Sequence, residues 1–115
     1  MKISERNEQG VPIVSIDGDA DLAVVPAFQK LMREKMQQKL PRLVVDFSNV
    51  TFANTPIWAV VVEYYQHARK TGSEICLAAM QDRVAASFNI VRLGDLIPHY
   101  ETVADALAST GSSSA

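Results

Sequence analysis

A single cysteine, Cys76, in 115 residues excludes an intrachain disulfide, and its place between Ile75 and Leu77 in an apolar run reads as a buried structural thiol, not a nucleophile. The five glycines are scattered, so no glycine-rich phosphate loop exists. Only two histidines occur, His67 and His99, and neither stands beside a nucleophile or a cluster of metal-ligand residues. No apolar run approaches the ~20 residues of a membrane span, and Met1-Lys2-Ile3-Ser4-Glu5-Arg6 lacks the apolar core of a signal peptide. Positive charge is not in excess. Eleven Lys and Arg against thirteen Asp and Glu leave a net charge of −2, which argues against a basic nucleic-acid face. These absences point to a cytoplasmic protein with no catalytic residue, metal site or cofactor to assign.

What remains is ordinary globular composition, 48% hydrophobic and 21% charged, at a length that suits one domain. Residues 2–8 and 11–17 flank Gln9-Gly10 and suggest a hairpin-like strand pair. Residues 22–39 carry Val25, Phe28, Leu31, Met32 and Met36 at helical spacing, with Asp21 as a possible cap and Pro41 as the stop. Leu43 to Phe47 is a nearly continuous apolar run, as in a central strand buried on both faces. A polar turn and a short extended run lead to a helix over residues 56–70 that Gly72 ends, despite the poor helix propensity of Val60-Val61-Val62. A strand over 74–80, a helix over 81–92, an extended stretch at 97–100 and a closing helix over 102–108 follow. Thr102 caps the last of these, with Asp105 three residues on. The order ββαβαβαβα implies an α/β fold: a mixed central sheet with parallel core strands and about four helices, packed mainly on one side. Residues 1–108 form the expected domain, and the Ser/Gly-rich residues 109–115 a disordered tail.

Two features invite a functional reading. Asp17, Asp19 and Asp21 are spaced by two, but the rest of a calcium-loop pattern is missing and a solvated turn fits better. Asn54-Thr55-Pro56 opens the second long helix. Asn or Thr as the N-cap with Pro56 at the first helical position is one complete explanation. The other is that a hydroxyl at a helix N-terminus, where negative charge is favoured, serves as a phosphorylation switch. Trp58, in the first turn after Thr55, belongs either to the core or to a partner interface, where tryptophan is enriched.

The ordered set of segments resembles a STAS domain, the fold of bacterial anti-sigma factor antagonists and of the cytoplasmic part of sulfate transporters. Gly18-Asp19-Ala20-Asp21 is similar to the family's turn before the first helix. Leu43 to Phe52 is similar to its central strand and hydrophobic extension, Lys70 to Glu74 to its helix-to-strand turn, and Tyr100 to Leu107 to its closing helix. The family's switch motif, Asp-Ser-(Ser/Thr)-Gly-Leu, falls on Asn54-Thr55-Pro56-Ile57-Trp58, so Thr55 takes the phosphorylatable position. Asn54 replaces the acid, Pro56 is expected to hold Thr55 out of helical geometry, and Ile57 adds bulk where glycine allows close approach.

The resemblance implies a non-enzymatic regulatory module. It would bind an anti-sigma factor, a serine/threonine kinase of the histidine-kinase ATPase type, through Asp19, Asp21, Asn54, Thr55, Pro56 and Trp58. Phosphorylation of Thr55 would switch that binding off. Neither nucleic acid nor a membrane span is implied, and the domain would be a monomer or weak dimer. The alternatives are a constitutive STAS scaffold or accessory subunit, stressosome-like or transporter-associated, with no phospho-switch, and a STAS domain that senses a small molecule such as a nucleotide or lipid.

Overall fold

The computed structural model describes residues 3–20 and 23–109. Asp21 and Leu22, and the expected tail from residue 110 onward, lie outside the described residues. The elements run β1 (Ile3–Glu8), β2 (Val11–Ile16), β3 (Gly18–Ala20), α1 (Val25–Gln37), β4 (Arg42–Asp46), β5 (Val50–Ala53), α2 (Thr55–Thr71), β6 (Glu74–Ala78), α3 (Asp82–Ile90), β7 (His99–Tyr100) and α4 (Val103–Ala108). The main sheet has the order β1-β2-β4-β6-β7. β1 pairs antiparallel with β2, whereas β2-β4, β4-β6 and β6-β7 are parallel. The expected mixed sheet with parallel core strands is the one observed.

Local chemistry accounts for most boundaries. Gln9 and Gly10 both have positive φ, 54° and 79°, as a two-residue turn between right-twisted strands requires. Gly72 ends α2 in the left-handed region at φ 75°, and its N–H donates to the carbonyl of Ala68. The Thr102 hydroxyl accepts from the Asp105 N–H at 2.9 Å and caps α4 as expected. α1 starts at Val25, the first residue of its apolar series, and not at residue 22. Val24 occupies its N-cap position without a side-chain bond, and the capping role expected of Asp21 lies outside the described residues.

Strand alternation sorts the core. Val14, Ile16, Leu43, Val45, Ile75 and Leu77 face α1, α2 and α3. Val11, Ile13, Val44, Cys76 and Ala78 face the short α4 through Ala106 and Leu107. Three helices therefore cover one face and a single six-residue helix the other. Arg42, 6% exposed, fastens α4. Its guanidinium donates to the Leu107 carbonyl at 3.4 Å, to the Ser109 hydroxyl at 2.6 Å and to the Ala106 carbonyl. That places a cation on the carbonyl end of the helix, where the dipole favours it. On the same face Asp46, 5% exposed, accepts from Arg6 at 3.1 Å and from the Ser48 N–H at 2.9 Å. The outer strand β1 carries exposed Glu5, Arg6 and Glu8, charges that discourage edge-to-edge pairing.

Candidate functional site

A second, two-stranded sheet builds the site. β3 pairs in parallel with β5, setting Gly18 opposite Val50, Asp19 opposite Phe52 and Ala20 opposite Ala53. Gly18, at φ 83°, donates its N–H to the Asn49 carbonyl at 2.8 Å, and the Asn54 N–H donates to the Ala20 carbonyl at 3.2 Å. The ribbon thus joins the aspartate turn to the start of α2, two segments more than thirty residues apart in sequence. Exposed Asp19 accepts from the Thr51 hydroxyl at 2.6 Å, and Asp17 accepts from the Asn49 amide at 3.1 Å. Both are engaged by the facing segment that enters β5. Among the described residues no group of three or more His, Cys, Asp or Glu could hold a metal ion.

At the helix start Asn54 is the N-cap by backbone, φ −90° and ψ 170°, but its side chain makes no capping bond. Thr55 is the first residue of α2 and is exposed; Pro56 follows, half-buried. The expectation that Pro56 keeps Thr55 out of helical geometry is not met. First-turn N–H groups have no intrahelical partner, so proline loses nothing there, while Ile57 and Trp58 are drawn into the core. The bulk of Ile57 points inward, at 0% exposure, and does not crowd the loop. Neither residue of the expected Asn/Thr cap caps through its side chain in the way the first explanation needs. No acidic residue lies in the first turn of this 17-residue helix, so nothing there balances the positive end of its dipole.

Trp58 is a core residue, a correction to its placement at an interface. It is 2% exposed, and its ring packs against Phe47 and Phe88 with centroids 5.4 and 5.3 Å away. Its Nε1–H donates to the Ser87 hydroxyl at 2.8 Å, and Ser87 donates to the Ala53 carbonyl at 3.2 Å. This relay ties α3 to the chain two residues before Thr55, so Trp58 positions the site from beneath.

Thr55 forms the ridge between two open grooves. One, of about 350 Å³, runs past Ala59, Val62, Glu63, Gln66, Val91 and Leu93, with an edge of Trp58 at its floor. The other, of about 450 Å³, is walled by Phe52, Asn54, Arg83, Ala86 and Ser87. Phe52, Arg83 and Ser87 are the surroundings that the sequence did not disclose. Phe52 is 42% exposed in a strand whose exposure does not alternate, so no periodicity marks it.

The remaining reactive side chains stand apart. His67 is half-buried on α2, and exposed His99 rests edge-on against Phe88 at 5.2 Å. Cys76 is 3% exposed, and burial pushes its thiol pKa up against the opposing pull of Arg42.

A family model described as STAS domain matches residues 2–106. No curated protein matches the sequence. Among solved structures, an anti-sigma factor antagonist from Mycobacterium paratuberculosis is 23% identical, with a TM-score of 0.85 over 93% of this chain and 91% of that one. Anti-sigma factor antagonist SpoIIAA in its unphosphorylated form is 13% identical, with a TM-score of 0.78 over 91% and 92%. The phosphorylated form of the Bacillus protein SpoIIAA is 12% identical, with a TM-score of 0.72 over 92% and 96%. At these identities the likeness is one of fold. Among the described residues no helix is long and apolar enough to cross a membrane.

Proposed function

This chain belongs to the STAS domain family, and from that membership we propose that it is a non-enzymatic interaction module of the anti-sigma factor antagonist kind. Its partner is an anti-sigma factor of the serine/threonine kinase class, built on a histidine-kinase type ATPase. The observation that supports this most is the β3–β5 ribbon, which joins Asp19 to the Asn54-Thr55-Pro56 helix start, where Thr55 is exposed between two half-buried neighbours. Asp21, next in the sequence and outside the described residues, is part of the proposed contact set. Trp58 acts as a support under this surface and not as a contact.

Thr55 is the switch. A phosphate there brings roughly −1.5 to −2 charges. The uncompensated N-terminus of α2 accommodates it without disturbing the fold. The partner that docked on a neutral threonine then meets an anion and leaves. SpoIIAA, of the same fold, has been solved in both phosphorylated and unphosphorylated forms, which supports a phosphate being compatible with this architecture.

The test is titration calorimetry of the purified kinase-type anti-sigma factor from the same cells against wild-type protein and Thr55→Glu. The wild type binds, and Thr55→Glu weakens binding about tenfold or more, which corresponds to about 1.4 kcal/mol. Equal affinity for the two proteins would sink the switch, and absence of binding to any such kinase would sink the partner class.

A further inference from the structure

Thr55 and Arg83 line the same groove, and we propose that Arg83 is the receptor for a phosphate carried by Thr55. The proposal deepens the switch reading of Thr55 and rests on it. Arg83 is the second residue of α3, exposed, and it forms no ion pair among the described residues. Its direction is set by the relay described above. Ser87 holds the Ala53 carbonyl at 3.2 Å and the Trp58 indole at 2.8 Å, and a residue four positions earlier on a helix shares that face. The guanidinium therefore opens onto the groove walled by Phe52, Asn54 and Thr55. Charged side chains on the flanking elements include Asp19 on β3, Asp82 on α3 and Glu63 on α2; none of them lines this groove, and Glu63, which lines the groove on the other side of Thr55, is paired with Arg33 at 3.1 Å.

A phosphate on Thr55 enters a space that holds one uncommitted cation and no competing carboxylate. Guanidinium and phosphate pair through two parallel hydrogen bonds, a geometry that a lysine does not reproduce. The α2 N-terminus holds the phosphate from one side and Arg83 from the other. Modification then changes the surface twice. It adds an anion at Thr55, and it turns Arg83 from a free cation facing the partner into half of an internal pair. Arg83 is in this sense a positioning residue for the modified state.

The test uses the full chain with phosphothreonine installed at position 55 by genetic encoding, so that no cellular kinase is needed. The ³¹P NMR titration of the second phosphate ionisation is read in three samples: the phosphoprotein, its Arg83→Gln variant, and the urea-unfolded phosphoprotein. Pairing with Arg83 favours the dianion, so the midpoint in the folded protein falls below that of the unfolded chain by roughly half a pH unit. Arg83→Gln returns most of that shift, and Arg83→Lys returns less of it. Circular dichroism confirms that the exposed substitutions leave the fold intact. An equal midpoint in the folded wild type and in Arg83→Gln would overturn the proposal, because the helix terminus alone would then hold the phosphate. A lowered, Arg83-dependent midpoint would support it even if Thr55 proved unmodified in cells, an outcome that would overturn the switch reading alone.

Discussion

Replacing Trp58 by phenylalanine separates a support from a contact. The indole is 2% exposed, packed at a tilt between Phe47 and Phe88, and donates to Ser87 at 2.8 Å. Trp58→Phe keeps an aromatic ring there but deletes that bond, which contributes about 1 kcal/mol net. The smaller ring also gives up several tens of Å² of buried apolar surface, which at ~25 cal/mol per Å² adds about 1–2 kcal/mol. The expected loss is about 2–3 kcal/mol, a large share of the roughly 5–15 kcal/mol that holds a domain together. In urea, with a slope of about 1–3 kcal/mol per molar, the midpoint moves down by roughly 1–3 M. Far-UV circular dichroism is the probe, because Trp58 is the sole tryptophan and its fluorescence disappears with it. Ser87→Ala costs about 1–2 kcal/mol by orphaning the indole N–H, and the two substitutions together cost less than their sum, because they break the same bond. Partner affinity per folded molecule stays at the wild-type value. An unchanged urea midpoint, strictly additive losses, or a drop in affinity with stability intact would each refute the placement of Trp58 as a buried brace.

Two further expectations follow from buried groups. Arg42→Met removes the donor to the carbonyl groups of Ala106 and Leu107 and to Ser109, at a cost of about 2 kcal/mol. The loss concentrates in α4, whose amides should exchange hydrogen far faster while those of β4 and β6 remain protected; unchanged protection in α4 would contradict the clamp. Burial pushes the Cys76 thiol and the Tyr64 hydroxyl above their ordinary values of 9.0 and 10.0. Both groups hold their protons more tightly when folded, so stability is fully present below those values and falls as pH climbs past them. Urea midpoints should be level between pH 7 and about 8.5 and decline from about pH 9 upward. Tyr64→Phe should remove the part of the decline that sets in near pH 10, and a midpoint flat to pH 11 would contradict the burial.

The parallel core, the closing helix with its Thr102 cap, and the Gly72 stop were legible because each rests on local chemistry. The valine run of α2 is helical because Val60 and Val61 are buried against the sheet, and that tertiary gain outweighs their propensity. β3 was not legible. Gly18-Asp19-Ala20 has no apolar alternation and exists as a strand through its pairing with Val50 to Ala53. Arg42 was equally hidden, since the carbonyl groups that it caps lie more than sixty residues away. The inward direction of Trp58 was partly readable, because Val61 and Tyr65 stand three and seven residues beyond it on a face that packs inward. What drew the residue outward in the reading was its nearness to Thr55. Around the candidate site, sequence placed Asp19, Asn54, Thr55 and Pro56; Phe52 adjoins them in the chain but no periodicity marks it, and Arg83 and Ser87 come from α3, which only tertiary packing brings there.

The claim at the centre of this account is that Thr55 carries a phosphate which governs partner binding. Intact mass spectrometry of the protein isolated from its own cells during growth and during stress, with fragment mapping across residues 48–58, tests it most directly. The account predicts a phosphorylated fraction that changes with condition and maps to Thr55. A chain that stays unmodified in every condition, or a phosphate that maps to Ser48 or Thr51, would contradict it.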